Sequence, residues 1–156
     1  APIINAMKAL VGHMGAWAPK AEQVAMADCL RRDDLVNGYL GDMKTKIQAS
    51  LTALYDGFQQ LKAEGFKVDA IVPMGAIYLT VKVDYAGKTT PDGTVIKNSA
   101  DVNFYLIKEA KVALVPFSAF GTDDDSVWFR ASVGATSLQD IQQMIPRIKE
   151  ALGKLR

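Results

Sequence analysis

The stretch whose reading decides the fold is SVWFRASVG, Ser126–Gly134. Val127, Phe129, Ala131 and Val133 alternate with Trp128, Arg130 and Ser132, the period-2 pattern of a strand with one buried face. Arg130 stands in the middle of that strand among apolar neighbours. A guanidinium keeps its charge in a protein, so this placement requires an anionic partner or a solvated pocket. Two readings are equally open on physical grounds. One is a structural ion pair with a carboxylate of a neighbouring helix. The other is a clamp that offers two parallel N–H donors to the carboxylate of a ligand.

Working outward, AIYLTVKVD (residues 76–84) shows the same alternation, with Ile77, Leu79, Val81 and Val83 against Tyr78, Thr80 and Lys82. VALVPF (112–117) reads as a short buried strand closed by Pro116. Between them lie a turn-rich excursion, YAGKTTPDGT, and a helix in NSADVNFYLIKEA with Asn98 or Ser99 as its cap. Ser137 and Asp140 open a last helix, with Leu138, Ile141, Ile145, Ile148 and Leu152 inward and a kink expected at Pro146.

Upstream, Leu35, Tyr39, Met43, Ile47, Leu51 and Leu54 recur at spacings of three and four and continue to Leu61. They predict one long amphipathic helix, capped by Asp33 or Asp34 and stopped at Gly65, with Gly38 and Gly41 giving a bend or a late start. Residues 2–10 and KAEQVAMADCL (20–30) read as two further helices. Ile3, Ala6, Met7 and Leu10 line one face of the first, and Val24, Ala27 and Leu30 point inward from the second. The pattern is α+β: a small, mostly antiparallel sheet covered by helices. The opening residues read as already helical, which predicts a piece of something longer.

Composition narrows the function. The chain has 156 residues, 49% hydrophobic and 22% charged, with a net charge of +1. No basic stripe suggests a nucleic-acid surface and no apolar run approaches a membrane span. A single cysteine, Cys29, fits a reducing, cytoplasmic setting and reads as a small buried apolar residue. With one histidine, His13, in a glycine-broken loop, neither a zinc site nor a Ser-His-Asp triad is expected. GKTT at Gly87 lacks the preceding glycine of a phosphate loop, because Lys82 occupies that position. Asp123, Asp124 and Asp125 read as a solvated turn.

GAWAPKAEQVA, PMGAIYL, VPFSAFG and WFRASVG, taken together and in this order, resemble the C-terminal part of class I/II aminotransferases, pyridoxal-phosphate enzymes of fold type I related to aspartate aminotransferase. The resemblance implies that Arg130 clamps the substrate α-carboxylate. It places Trp17, with Ala18 and Pro19, near the active-site mouth, Met74 and Gly75 in a turn close to the substrate pocket, and Pro116 to Phe120 in a loop bordering it. Trp17, Gly75 and Phe120 are thereby candidate substrate-binding residues beside Arg130.

The same resemblance implies a division of the chain. Residues 1–30 correspond to the end of the large cofactor domain and the interdomain segment, and residues 31–156 to the small C-terminal domain. The family's Schiff-base lysine follows a serine, and no lysine here does. No catalytic, cofactor-binding or metal-binding residue is therefore expected in this chain. A homodimeric parent that exchanges amino groups between an amino acid and a 2-oxo acid is implied, with pyridoxal 5'-phosphate bound elsewhere, and the chain alone is expected to be inactive. Two alternatives stand beside it. One is a decarboxylase, lyase or acyl-condensing relative with the same clamp; the other is a stand-alone carboxylate-binding module.

Overall fold

The computed structural model describes residues 2–15 and 18–156. They fall into two compact units, one ending at Met43 and the other running from Lys44 to Arg156. No helix among the described residues is long and apolar enough to cross a membrane.

The first unit holds α1 (Pro2–Met14), α2 (Lys20–Leu30) and the start of α3 (Asp33–Ala63). Neither α1 nor α2 buries a side chain. Val24, Ala27 and Leu30, expected inward, are exposed, because two short helices offer each other too little area to cover an apolar face. Asp33 and Asp34 lie in the first turn of α3 rather than ahead of it, where carboxylates still complement the helix dipole. The helix starts at that turn despite Gly38 and Gly41, so no late start occurs.

The second unit is a two-layer sandwich of helices on a sheet. β1 (Val68–Ala70), β2 (Tyr78–Val83), β3 (Val115–Pro116) and β4 (Trp128–Ser132) form a four-stranded sheet in the order β1-β2-β4-β3, antiparallel throughout. The alternation seen in the sequence becomes its two faces. Leu79, Val81, Phe129 and Ala131 enter the core, and Leu54, Phe58 and Leu61 of α3 lie in the same cluster. α4 (Ser99–Ala110) contributes Val102 and Leu106 to it, and α5 (Leu138–Gly153) contributes Ile141, Ile148 and Leu152.

Two strands and one helix position differ from the sequence reading. β1, three residues long, has too few alternating positions to be legible, yet it completes the sheet beside β2. VALVPF buries Val112 and Leu114 before the strand begins, whereas Val115 is exposed on an edge. That edge is where a proline without an N–H is tolerated. Leu138, at the first position of α5, is exposed, unlike Ile141, Ile148 and Leu152 further along the helix.

The helix ends follow local chemistry. At the end of α3 the N–H of Gly65 bonds Lys62 and that of Phe66 bonds Leu61, a Schellman closure in which Gly65 has φ 92°. Asn98 caps α4 through the Asp101 N–H, and Ser137 and Asp140 form a reciprocal capping box on α5. The Ser137 hydroxyl and backbone N–H hold the Asp140 carboxyl below the usual carboxylate range. The box is therefore complete above an ordinary aspartate pKa and is lost as pH falls through the lowered folded value. Helix α5 continues through Pro146.

α4 ends differently. Lys111 occupies the left-handed position, φ 57° and ψ 38°, where glycine is favoured. Its Nζ donates to the Lys108 carbonyl at 2.7 Å, an exposed bond that recovers little of the backbone cost. Lys111→Gly is expected to raise the unfolding free energy by about 0.5–1 kcal/mol. Urea unfolding followed by circular dichroism checks this, and a lowered midpoint would contradict it.

Candidate functional site

The sheet's second face lies opposite the core residues Leu79, Val81, Phe129 and Ala131 that share a cluster with α3, α4 and α5. Tyr78, Thr80 and Lys82 of β2 stand opposite Ser132, Arg130 and Trp128 of β4 in register, so these six side chains share that face. Arg130 is half-buried at its centre, with Thr80 across from it on β2 and Val115 on β3. Rigid strands on both sides therefore fix the origin of its side chain.

The loop after β3 folds back toward it. Phe117–Phe120 form one 3₁₀ turn, closed at Gly121, which has φ 93° and returns its N–H to Phe117 and Ser118. The Phe117 and Phe120 rings meet edge to face, centroids 6.1 Å apart at 66°. The Ser118 hydroxyl lies 3.5 Å from that of the buried Ser99 at the start of α4, and Asn103 of α4 accepts the Leu114 N–H at 2.8 Å. Helix α4 thus anchors both β3 and the turn that carries Phe120.

Arg130 meets aromatic rings rather than a carboxylate. Its Cζ lies 4.3 Å from the centroid of Tyr78 and 4.3 Å from that of Phe120, well inside cation–π range. Among the described residues, the ion pairs are Lys62–Asp69, Lys82–Asp84, Lys108–Asp92, Lys149–Glu64 and Lys154 with Glu109 and Glu150. None involves Arg130. The structural ion pair that the sequence left open is not formed within the described residues, and the charge-assisted donors of Arg130 face no carboxylate among them.

The remaining candidates fall as follows. Phe120 is brought onto Arg130. Gly75 lies in the exposed turn entering β2, next to Ala76 at φ 59°, and a Cβ there would meet nothing within 4 Å. That turn is tied to the end of β4 by the Val133 N–H on the Ile77 carbonyl, 3.0 Å, and a Cβ at Gly134 would stand 2.9 Å from Ile77 Cδ1. The closing glycine of WFRASVG therefore permits this close approach. Trp17 lies outside the described residues, while Ala18 and Pro19 are exposed.

Tyr78 is the residue that the sequence reading missed. Its place on the polar face of β2 was legible, but its contact depends on a diagonal across the β2–β4 register. His13 is exposed at the last turn of α1, and Asp123 to Asp125 form an exposed turn. Cys29 is half-buried rather than buried, because α2 has no packed face. No group of three or more His, Cys, Asp or Glu side chains among the described residues is placed to hold a metal ion. A cleft of about 570 Å³ lies between residues 90–98 and α4, but it shares no lining residue with the Arg130 site.

Known proteins share this sequence and fold. The family model described as aminotransferase class I and II matches residues 1–148. A probable aspartate/prephenate aminotransferase of Rickettsia bellii is 32% identical over 98% of this chain and 36% of its own length. An aspartate aminotransferase of Rhizobium meliloti is 40% identical over 56% of this chain and 21% of its own length. The crystal structure of an aspartate aminotransferase from Rhizobium meliloti superposes with a TM-score of 0.65 at 33% identity, covering 76% of this chain and 28% of that one. An engineered aspartate aminotransferase of Thermus thermophilus, 20% identical, has the same fold with a TM-score of 0.67 over 92% of this chain and 34% of its own. The chain spans about a third of the length of the Rickettsia bellii relative, 36%, and 21% of the Rhizobium meliloti one. It belongs to the class I and II aminotransferase family.

Proposed function

We propose that this chain is the substrate-carboxylate-binding small domain of a pyridoxal-phosphate-dependent aminotransferase, which exchanges an amino group between an amino acid and a 2-oxo acid. The observation that carries the reading is Arg130: a half-buried guanidinium on a rigid strand, bracketed by Tyr78 and Phe120, with no acid of the described chain on it. A ligand carboxylate supplies the missing charge and accepts two parallel N–H bonds. Gly75 and Trp17 belong, on the same proposal, to the rim of the pocket. Residues 1–30 belong with the cofactor domain and the interdomain segment, and residues 31–156 form the small domain.

The residues present do not fit pyridoxal phosphate by themselves. No lysine follows a serine as the Schiff-base motif requires. Lys82, the lysine on the Arg130 face, is paired with Asp84 at 3.3 Å. The cofactor, when bound by the large domain, supplies the electrophile. This chain's residues hold the substrate by its carboxylate and exclude water from one side of it, which fixes its orientation for reaction. The parent works in this reading as a cytoplasmic homodimer of amino-acid metabolism, and aspartate is the first amino donor to test because the relatives are named for it.

The test is a chimera in which this chain replaces the matching segment of a Rhizobium meliloti aspartate aminotransferase. Transamination of aspartate at or above about 1% of the recipient's kcat/KM is expected, and the chain alone should give none. A chimera that folds and retains cofactor, yet transaminates no amino acid, refutes the reading. Decarboxylation or β-elimination instead would assign the chain to another branch of fold type I.

A further inference from the structure

Arg130 could satisfy a carboxylate without any aromatic neighbour, so its two rings call for a separate account. Tyr78 comes from β2 and Phe120 from the turn after β3, and these strands flank β4 on opposite sides. Rings carried by elements on the two flanks of β4 thus meet at one guanidinium, each centroid 4.3 Å from Cζ. Neither ring is part of the core. Tyr78 is 40% and Phe120 50% exposed, and an exposed aromatic pair converging on one cation is not explained by burial.

We propose that Tyr78 and Phe120 are positioning residues that lock the plane of the Arg130 guanidinium, so that only its N–H edge is offered to a planar two-oxygen anion. A free arginine side chain rotates about several bonds and loses that freedom when it binds. Rings over its carbon hold the fork in one plane beforehand, which lowers the ordering cost of a bidentate bond. They also cover the faces by which a tetrahedral anion would gain further contacts. The edge-on Phe117 contact and the closure at Gly121 keep the Phe120 ring in place. This inference rests on the carboxylate-clamp reading of Arg130, and it adds to that reading the two residues that shape the clamp.

The test uses this chain labelled with ¹⁵N-arginine, the Nε–Hε signal of Arg130 being assigned by its loss in Arg130→Lys. In the unmodified chain that proton is expected upfield of the other arginine Hε signals, displaced by the ring currents, and it should move on titration with sodium acetate but not with sodium chloride at equal ionic strength. Tyr78→Leu and Phe120→Leu should each return it toward the ordinary position and weaken acetate binding by about two- to fivefold. Tyr78→Phe should keep both properties, because the ring and not the hydroxyl does the positioning. Sodium phosphate at matched ionic strength should bind more weakly than acetate in the unmodified chain and approach it in the leucine variants.

The outcomes separate. An Arg130 Hε at the ordinary position in the unmodified chain overturns the aromatic bracket whatever the variants do. Leucine variants that bind acetate within about 1.5-fold of the parent, while Arg130→Lys loses the response, overturn the positioning role and leave the clamp standing. No acetate response in the unmodified chain, or an unchanged one at other residues in Arg130→Lys, overturns the clamp and this inference with it.

Discussion

Arg130→Ala, in the chimera with the Rhizobium meliloti enzyme, is expected to lower kcat/KM for aspartate by about 10²–10³-fold. Two hydrogen bonds to an ionised carboxylate are removed, each contributing about 1.5–3 kcal/mol, and 1.36 kcal/mol corresponds to a factor of ten. The half-buried, solvent-reachable position of Arg130 places the result toward the lower end of that sum. Most of the loss should appear in KM, because the carboxylate is held in the ground state as well as during reaction. Arg130→Lys keeps the charge and loses the fork, so it should recover at most about a tenth of the difference. The fold should be indifferent to either change. No acid of the described residues is paired with Arg130, so none is stranded by its removal, and the thermal midpoint should stay within a few degrees. An activity within threefold of the unsubstituted chimera would remove Arg130 from the substrate, and a collapse of the fold would make it structural instead.

That contrast also marks where the sequence was readable and where it was not. The alternation in AIYLTVKVD and SVWFRASVG assigned both central strands and the correct face to Arg130, because a strand's period is a local property. The capping box at Ser137 and Asp140 and the glycine closure at Gly65 were legible for the same reason. The partners of Arg130 were not. They depend on which strands are neighbours and on a register that sets Thr80, and not Tyr78, directly across from it. Phe120 was reached through resemblance, whereas the alternation placed Tyr78 on the polar face of β2 and gave no sign of its contact with Arg130. The inward face assigned to α2 failed for a related reason: periodicity says that a helix has an apolar side, not what covers it. Lys111 shows the opposite case, a left-handed cap whose residue type argues against the conformation it adopts.

Phe58→Ala is expected to destabilise the second unit by about 3–5 kcal/mol, the cost of deleting a fully buried aromatic side chain and leaving a cavity. Phe58 is 0% exposed at the centre of the buried stripe of α3, in one cluster with Val81 and Phe129 of the two central strands. α3 lines the core through Leu54, Phe58 and Leu61, in the same cluster as Phe129 and Ala131 of the strand that bears Arg130. A drop in the thermal midpoint of about 10–15 °C follows for a domain of this size. Circular dichroism and the Arg130 Hε signal should report the same transition, since β4 cannot keep its register once its covering helix separates. Tyr78→Leu, on the open face of the same sheet, should cost under about 1 kcal/mol. A loss below about 1 kcal/mol for Phe58→Ala would mean that α3 does not pack on the sheet as described. If it does pack, the two faces carry separable duties: the covered face holds the strands in register, and the open face can give its side chains to a ligand without weakening the fold.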